Sequence, residues 1–369
     1  MSEIDEDLLP SGRATMGAGR SLRVIRWLAL GAYLVALVFT VVTRGAPLDR
    51  EAVMLWVTLA LVVASIGRRP IRLLWLVLDF LPFVLVLLFY DYLRGLATSV
   101  GLPTWWSPQI HIDRFLFFGH VPTVWLQEHL KHPRPFGVRW YDVVASLTYY
   151  SFFLLPYVTA GVLWLRGRAD FHRWAVRFVG LSFLCFGLFV LIPAAPPWAA
   201  GHCTATDVTT HPSYAPCMDD SGPPTSEPLL GDFTQVQPGA NPWVERIAGD
   251  GLQRLHLDVA PELWRKGFST ADPVAAMPSL HLAGIVLFCL FLWRRVGRTW
   301  KALLVLYPFV MMFSLAYTGE HYVADGIAGA LVAWLVHATA NRLEPWWLER
   351  RRPAPVSVAS PAPSAVAAS

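Results

Sequence analysis

Along most of this chain the apolar residues come in unbroken blocks of roughly 16 to 24, the length an α-helix needs to cross the hydrocarbon layer of a bilayer. In that layer every backbone N–H and C=O must find its partner within the protein, which leaves helices or a closed barrel. Continuous rather than alternating apolar residues select helices. Composition agrees: of 369 residues 55% are hydrophobic and 15% charged, with a mean hydropathy of +0.44, which is too apolar for an ordinary soluble domain. The expected fold class is all-α, a polytopic membrane helix bundle with about eight transmembrane helices.

Residues 1–22, "MSEIDEDLLPSGRATMGAGRSL", lack apolar periodicity and read as a disordered tail. "RVIRWLALGAYLVALVFTVV" follows with no small-residue cleavage site at its end, so it reads as an anchor rather than a removed signal peptide. It and a second span, at about 52–66, form two accessory helices over 23–68. The membrane core is expected over 69–345, with spans at about 73–92, 142–165, 175–193, 277–293, 302–317 and 321–339. Between them, about 94–140 mixes Trp and Pro with short apolar runs, the pattern of interfacial helices. A loop over about 194–275 is rich in Pro, Gly, Ser and Thr, and loops that long are usually functional or flexible. Residues 346–369 read as a second disordered tail.

Orientation follows from the arginines. With a cytoplasmic N-terminus, eight crossings bring "GRRPIR", "RGRADFHR", "RRVGRTWK" and "ERRR" all to the inner side, as the positive-inside rule requires. Both tails are then cytoplasmic, and the 194–275 loop lies outside. The expected location is a multi-pass plasma membrane protein whose site opens extracytoplasmically. A formal net charge of only +4, spread over short loops, argues against nucleic acid as a partner. Cys185 and Cys289 fall within spans and read as small buried residues. Cys203 and Cys217 share the outer loop, where an oxidising compartment would allow a disulfide. No Cys/His spacing suggests zinc.

Two motifs carry chemistry. In "SLAYTGEHYVADGIAGALVAW", His321 and Asp325 stand four residues apart and so on one helical face. The carboxylate can then hold one imidazole nitrogen while the other attacks or accepts; the bland alternative is a satisfied structural pair. In "AAMPSLHLAG", Pro278 suits a first helical turn, and Ser279, His281 and nearby N–H groups would meet an anion at the helix start. An N-cap serine beside a core histidine is the alternative. Together, two histidines and a carboxylate at one membrane face suit double displacement at phosphorus: one ring attacks, the other protonates the leaving oxygen, and the carboxylate orients the attacker.

"PSLH" and "HYVAD" resemble the second signature and the His-x-x-x-Asp half of the third signature of the type 2 phosphatidic acid phosphatase superfamily. The resemblance covers roughly residues 100–340. It implies a six-helix core made of the third to eighth spans, with His321 as nucleophile through a phosphohistidine, Asp325 as its partner, His281 as general acid and Ser279 as a phosphate contact. It implies no metal or other cofactor. Leu315 follows Ser314 where the third signature usually has arginine, and Gln127 stands seven residues before Arg134, where the first signature has lysine. With "PTVWLQ", "RWYD" and "PAAPPW", that pattern is more similar to the inositol phosphorylceramide synthase-like branch, the inositolphosphotransferases. In that branch a histidine is common where this chain has Phe152.

A phosphate dianion still needs a cation in a low-dielectric pocket. Lys131, Arg134 and Arg139 are the candidates, with Arg265 and Lys266 in reserve; each could instead be an interfacial charge snorkelling to headgroups. Asp79 reads as a helix-packing hydrogen-bond acceptor or a proton relay. The expected function is a lipid phosphotransferase or phosphatase acting on a lipid phosphate or phospholipid, with water or an alcohol such as inositol as acceptor. The rivals are a simple lipid phosphate phosphatase and a non-catalytic lipid-binding transporter.

Overall fold

A computed structural model describes residues 12–44, 50–67, 71–133, 137–219, 222–234, 236–254 and 274–350. The expected tails at 1–11 and 351–369 lie outside these. Six helices are long and apolar enough to cross a membrane: α1 (Gly12–Arg44), α3 (Ile71–Val100), α6 (Trp140–Arg166), α7 (Arg168–Leu191), α12 (Arg298–Tyr317) and α13 (Val323–Arg350). Two shorter apolar helices, α2 (Arg50–Ser65) and α11 (Leu280–Leu292), occupy the other two expected spans. No strand occurs among the described residues, and the chain is a polytopic helical membrane bundle.

Boundaries differ from expectation at both ends. Helix α1 begins at Gly12, inside the stretch read as a tail, and α13 runs on to Arg350. The first extension, Gly12–Leu22, carries no apolar stripe, the signal that periodicity can detect, and the second, "WWLER", is too short to display a helical period. Helix α11 has 13 residues, about 20 Å of rise against a hydrocarbon layer of about 30 Å. It is therefore too short to span that layer by itself.

The bundle core is aromatic. Phe83 stacks on Phe178 at 5.5 Å, Phe80 meets Phe171 at 5.3 Å, and Trp174 meets Phe291 edge-on at 5.3 Å, which joins α3, α7 and α11. Outward faces of α1, α3, α12 and α13 expose Val35, Val77, Phe309 and Leu331, as lipid-facing positions should. Helices α11 and α13 pack closely because both seam positions are glycine. A Cβ at Gly329 would lie 2.3 Å from the Ser279 carbonyl oxygen at the start of α11, and one at Gly326 would lie 2.9 Å from Leu282 Cδ2 of α11 and 2.3 Å from Met312 Sδ of α12.

At one end of the bundle the buried carboxylate of Asp79 accepts from Trp164 Nε1, Arg168 and His172. At that end Glu344 also pairs with Arg173 and Arg177, and Asp170 with Arg295. Asp79 is thus an interhelical acceptor within an ion-pair network.

The other end carries a cap. It is built from the amphipathic helices α4 (Ser107–Leu116) and α5 (Pro122–Leu130), and from 194–254 with short helices α8 (Pro197–Ala200), α9 (Ala205–Thr210) and α10 (Asp250–Arg254). Its own apolar core gathers Trp106, Ile110, Cys203, Phe233, Val244 and Tyr322. A Cys203–Cys217 disulfide closes it. The described part of the long loop is thus folded, because its scattered apolar residues are pooled in space rather than along the sequence.

Candidate active site

Helix α12 ends under the cap, and a tight turn then reverses the chain into α13. Gly319 makes this turn in the left-handed region, at φ +76°, a conformation that glycine adopts without steric cost. The Leu315 carbonyl accepts from the N–H groups of Glu320 and His321 at 3.0 and 3.2 Å. Asp325, three residues past Tyr322, reaches back to the Tyr322 N–H at 2.9 Å, which is the carboxylate half of a capping box. One carboxylate therefore both starts α13 and faces His321. Helix α11 starts beside it: Ser279 Oγ accepts from the Leu282 N–H at 3.3 Å, and the Ser279 N–H donates to the Asp325 carbonyl at 2.9 Å. Pro278 lies just before this cap, two positions before the first helical residue, Leu280, rather than in the first turn as expected from sequence.

The three residues singled out by motif come together. His281 Nδ1 and His321 Nε2 stand 3.1 Å apart, and His321 Nδ1 faces Asp325 Oδ2 at 3.7 Å. The first is a hydrogen bond; the second is too long for one, though such contacts tighten when substrate is held. His321 is 5% and Asp325 0% exposed, so both sit out of bulk water, where charge–charge interactions are strong. The Tyr149 ring lies over His281 at 4.9 Å with 24° between planes, and Phe152 packs on it at 4.5 Å. Aromatic rings on two sides fix the imidazole in place.

A further carboxylate was not anticipated. Asp113 of α4, fully buried, accepts from the N–H groups of Val323 and Ala324 at 3.1 and 2.8 Å. It thus satisfies two of the orphan donors at the start of α13. Burial pushes its carboxyl up to about 6, and nearby Asp325 adds to the rise against the pull of the two N–H donors. The only sequence signal was an acidic residue in an otherwise basic and apolar interfacial helix.

The expected phosphate contacts are placed less simply. Ser279 is buried and its hydroxyl caps α11. Lys131 is buried, paired to Glu245 at 2.9 Å and donating to the Trp243 carbonyl. Arg139 is exposed, and its backbone N–H donates to Asp142 at 2.6 Å. Arg134, Arg265 and Lys266 lie outside the described residues. Gln127, where a lysine was looked for, is 1% exposed; it donates to the carbonyls of Glu245 and Tyr317 and accepts from the Glu245 N–H. It bolts the cap to the end of α12. Leu315, where an arginine was looked for, is buried in apolar surroundings.

The cation the described residues do bring to this turn is Arg246, from the cap. Its Nε and Nη2 bond the two oxygens of Glu320 at 2.7 and 3.1 Å, one residue before His321. It also hydrogen-bonds Tyr149, the ring stacked on His281. Nothing local in "PWVERIAG" marks it out. Among the described residues no three His, Cys, Asp or Glu side chains are grouped as a metal site requires.

Searches of curated proteins and of solved structures return no match. A model of the PAP2 superfamily matches residues 110–339, which starts in α4 and takes in the cap, both histidine-bearing motifs and most of α13. That match spans more than half of the sequence and every residue of the site described above, so the chain belongs to the PAP2 superfamily.

Proposed function

We propose that this protein cleaves a phosphoester of a membrane lipid through a phosphohistidine on His321. Membership of the PAP2 superfamily supports a lipid phosphatase or phosphotransferase in general terms. The observation that carries the finer reading is the 3.1 Å approach of His281 and His321, from separate helices, with Asp325 behind the second ring. A purely structural pair would not need two imidazoles and a buried carboxylate converging from separate helices.

In the first step the His321 Nε2 lone pair forms a bond to phosphorus and the bond to the lipid oxygen breaks. His281 delivers its proton to that oxygen, and Asp325 stabilises the developing imidazolium through Nδ1. In the second step an acceptor hydroxyl gives its proton to His281, attacks phosphorus, and the P–N bond breaks. In-line displacement puts the attacking and leaving atoms on opposite sides of phosphorus. The two rings must therefore part from 3.1 Å when substrate enters.

Water and an alcohol such as inositol are both chemically competent acceptors. Resemblance of "PTVWLQ" and "PAAPPW" to the inositolphosphotransferase-like branch favours transfer, whereas Phe152 against His281 favours hydrolysis, since it removes the histidine common in that branch. The arginine-rich network at the opposite end supports an extracytoplasmic site by the positive-inside rule, and we read the membrane as the plasma membrane.

The test uses purified full-length protein and a radiolabelled lipid phosphate. Wild type should form acid-labile protein-bound phosphate and release product, and His321→Ala should do neither while eluting as wild type on gel filtration. Turnover surviving in His321→Ala overturns the reading. Adding inositol separates the acceptors, through free phosphate or a new phosphodiester.

A further inference from the structure

We propose that Arg246 is the cation that receives the phosphoryl group, and that Glu320 holds it in the empty site as a charge-matched placeholder. The inference rests on the phosphohistidine reading above. Both positions at which a signature cation was looked for, Gln127 and Leu315, are built into the scaffold, and Lys131 neutralises Glu245. Arg246 reaches the same turn from the opposite direction, out of the cap.

Its geometry is that of an anion fork. A guanidinium presents parallel N–H donors that match a carboxylate or a phosphate equally well, and here Nε and Nη2 grip both oxygens of Glu320. The side chain is 23% exposed while Glu320 is 6% exposed, so an entering anion meets the guanidinium before the carboxylate. The Trp198 ring backs Arg246 at 5.5 Å. The hydrogen bond to Tyr149 and the Tyr149–His281 stack hold it in register with the general acid.

Glu320 and His321 are consecutive, so the carboxylate that Arg246 grips and the nucleophile ride on one turn. When phosphate takes over part of the fork, Glu320 gives up one of its two bonds. When product leaves, the carboxylate closes on Arg246 again. Glu320 thereby competes with bound phosphate and favours release, and it keeps the partly buried guanidinium paired between turnovers, since leaving a desolvated charge unpaired is costly.

Orthovanadate, a phosphate mimic, provides a readout that does not depend on turnover. Protection of the detergent-solubilised full chain against thermal unfolding by orthovanadate should be strong for wild type and retained in His321→Ala up to the covalent contribution. It should be lost in Arg246→Gln. Glu320→Gln should bind vanadate roughly tenfold more tightly, because a charged competitor for the fork has gone. Turnover of a lipid phosphate in Arg246→Gln should fall by roughly 100-fold or more.

The double variant Arg246→Gln/Glu320→Gln removes both charges and so separates a clamp from a structural ion pair. The inference expects it to fold and stay inactive. Recovery of turnover in the double variant, preserved vanadate protection in Arg246→Gln, or no vanadate protection of wild type would each overturn it. Failure of the phosphohistidine reading would show separately, as turnover in His321→Ala.

Discussion

In the bundle, α11 and α13 meet through two glycines and a run of apolar side chains. The cap over 194–254 also packs apolar side chains on the bundle, Ile247 in a cluster with Ala145 and Tyr317 and Leu252 in one with Tyr149, Tyr150 and Leu282, but it adds a set of polar ties with named partners. Gln127 joins the Glu245 backbone to the Tyr317 carbonyl, the Trp198 N–H donates to the Gly319 carbonyl at 3.0 Å, and the Ile247 N–H donates to the Thr318 carbonyl at 3.1 Å. The Gly251 N–H donates to Ser146 Oγ at 3.0 Å. The difference follows from the surroundings. Lipid offers no hydrophobic drive between helices, so close shape complementarity must hold them. A segment at the water boundary, poor in periodic apolar residues, needs specific bonds and a crosslink in addition to its apolar contacts. The site lies on the seam: His281 and Asp325 come from bundle helices, while Arg246 comes from the cap.

That contrast predicts that bundle lesions remove the fold, whereas cap lesions remove activity first. The largest effect should come from Gly329→Val, whose branched side chain has no room beside the Ser279 carbonyl. The cost lies at the top of the roughly 1–3 kcal/mol overpacking range or above it, and the measurable outcome is loss of a monodisperse peak on gel filtration in detergent. A normal peak and normal turnover would break the comparison.

Removing the disulfide with Cys203→Ser/Cys217→Ser should cost about 3 kcal/mol for a loop of this length, confined to the cap. Limited proteolysis should then cut within 194–254 under conditions in which wild type resists, while the bundle core stays intact. Cutting within the bundle at the same rate would show that the two regions unfold as one unit.

Gly319→Ala strains the turn twice: the residue needs a left-handed backbone, which costs about 1–2 kcal/mol, and its Cβ would meet the Glu245 carbonyl oxygen at 2.6 Å. Because His321 follows two residues later, a shift of an ångström should lower kcat by about 100-fold, with a far smaller change in melting temperature. Equal losses in both would blur the distinction between cap and bundle.

The smallest effect is expected for Asp113→Asn, about 1 kcal/mol at neutral pH, since one acceptor remains for the two α13 donors. Its pH dependence is the sharper readout. The folded-state carboxyl is raised to about 6, so folding binds a proton there. The stabilisation is complete near the unfolded carboxylate value and is lost as pH rises through about 6. The melting temperature of wild type relative to Asp113→Asn should therefore fall between pH 4.5 and pH 7, and a gap that widens over this range would contradict the burial of this group.

Much of this was legible in advance because it is local. Apolar length marked eight segments at the places where eight apolar helices lie, and the i, i+4 spacing of His321 and Asp325 required only a helix. The seam glycines Gly326 and Gly329 could be read as packing residues from their size. The cations could not be read this way. Lys131, Arg139 and Arg246 are chemically similar residues near apolar segments, and nothing in their neighbours distinguishes a structural ion pair from a ligand contact. Asp113 was equally silent, since its two partners lie more than two hundred residues away in the chain.

Sequence by itself determined the class of the molecule and its apolar segments, and it singled out two histidines and a carboxylate as candidates, because each depends on periodicity within a single helix or on a contiguous motif. Tertiary structure alone decided that Gln127 and Lys131 serve the cap, that Asp113 starts α13, and that Arg246 stands beside the site. Those outcomes depend on which distant polar group satisfies which charge, and a buried charge takes the partner that folding brings to it.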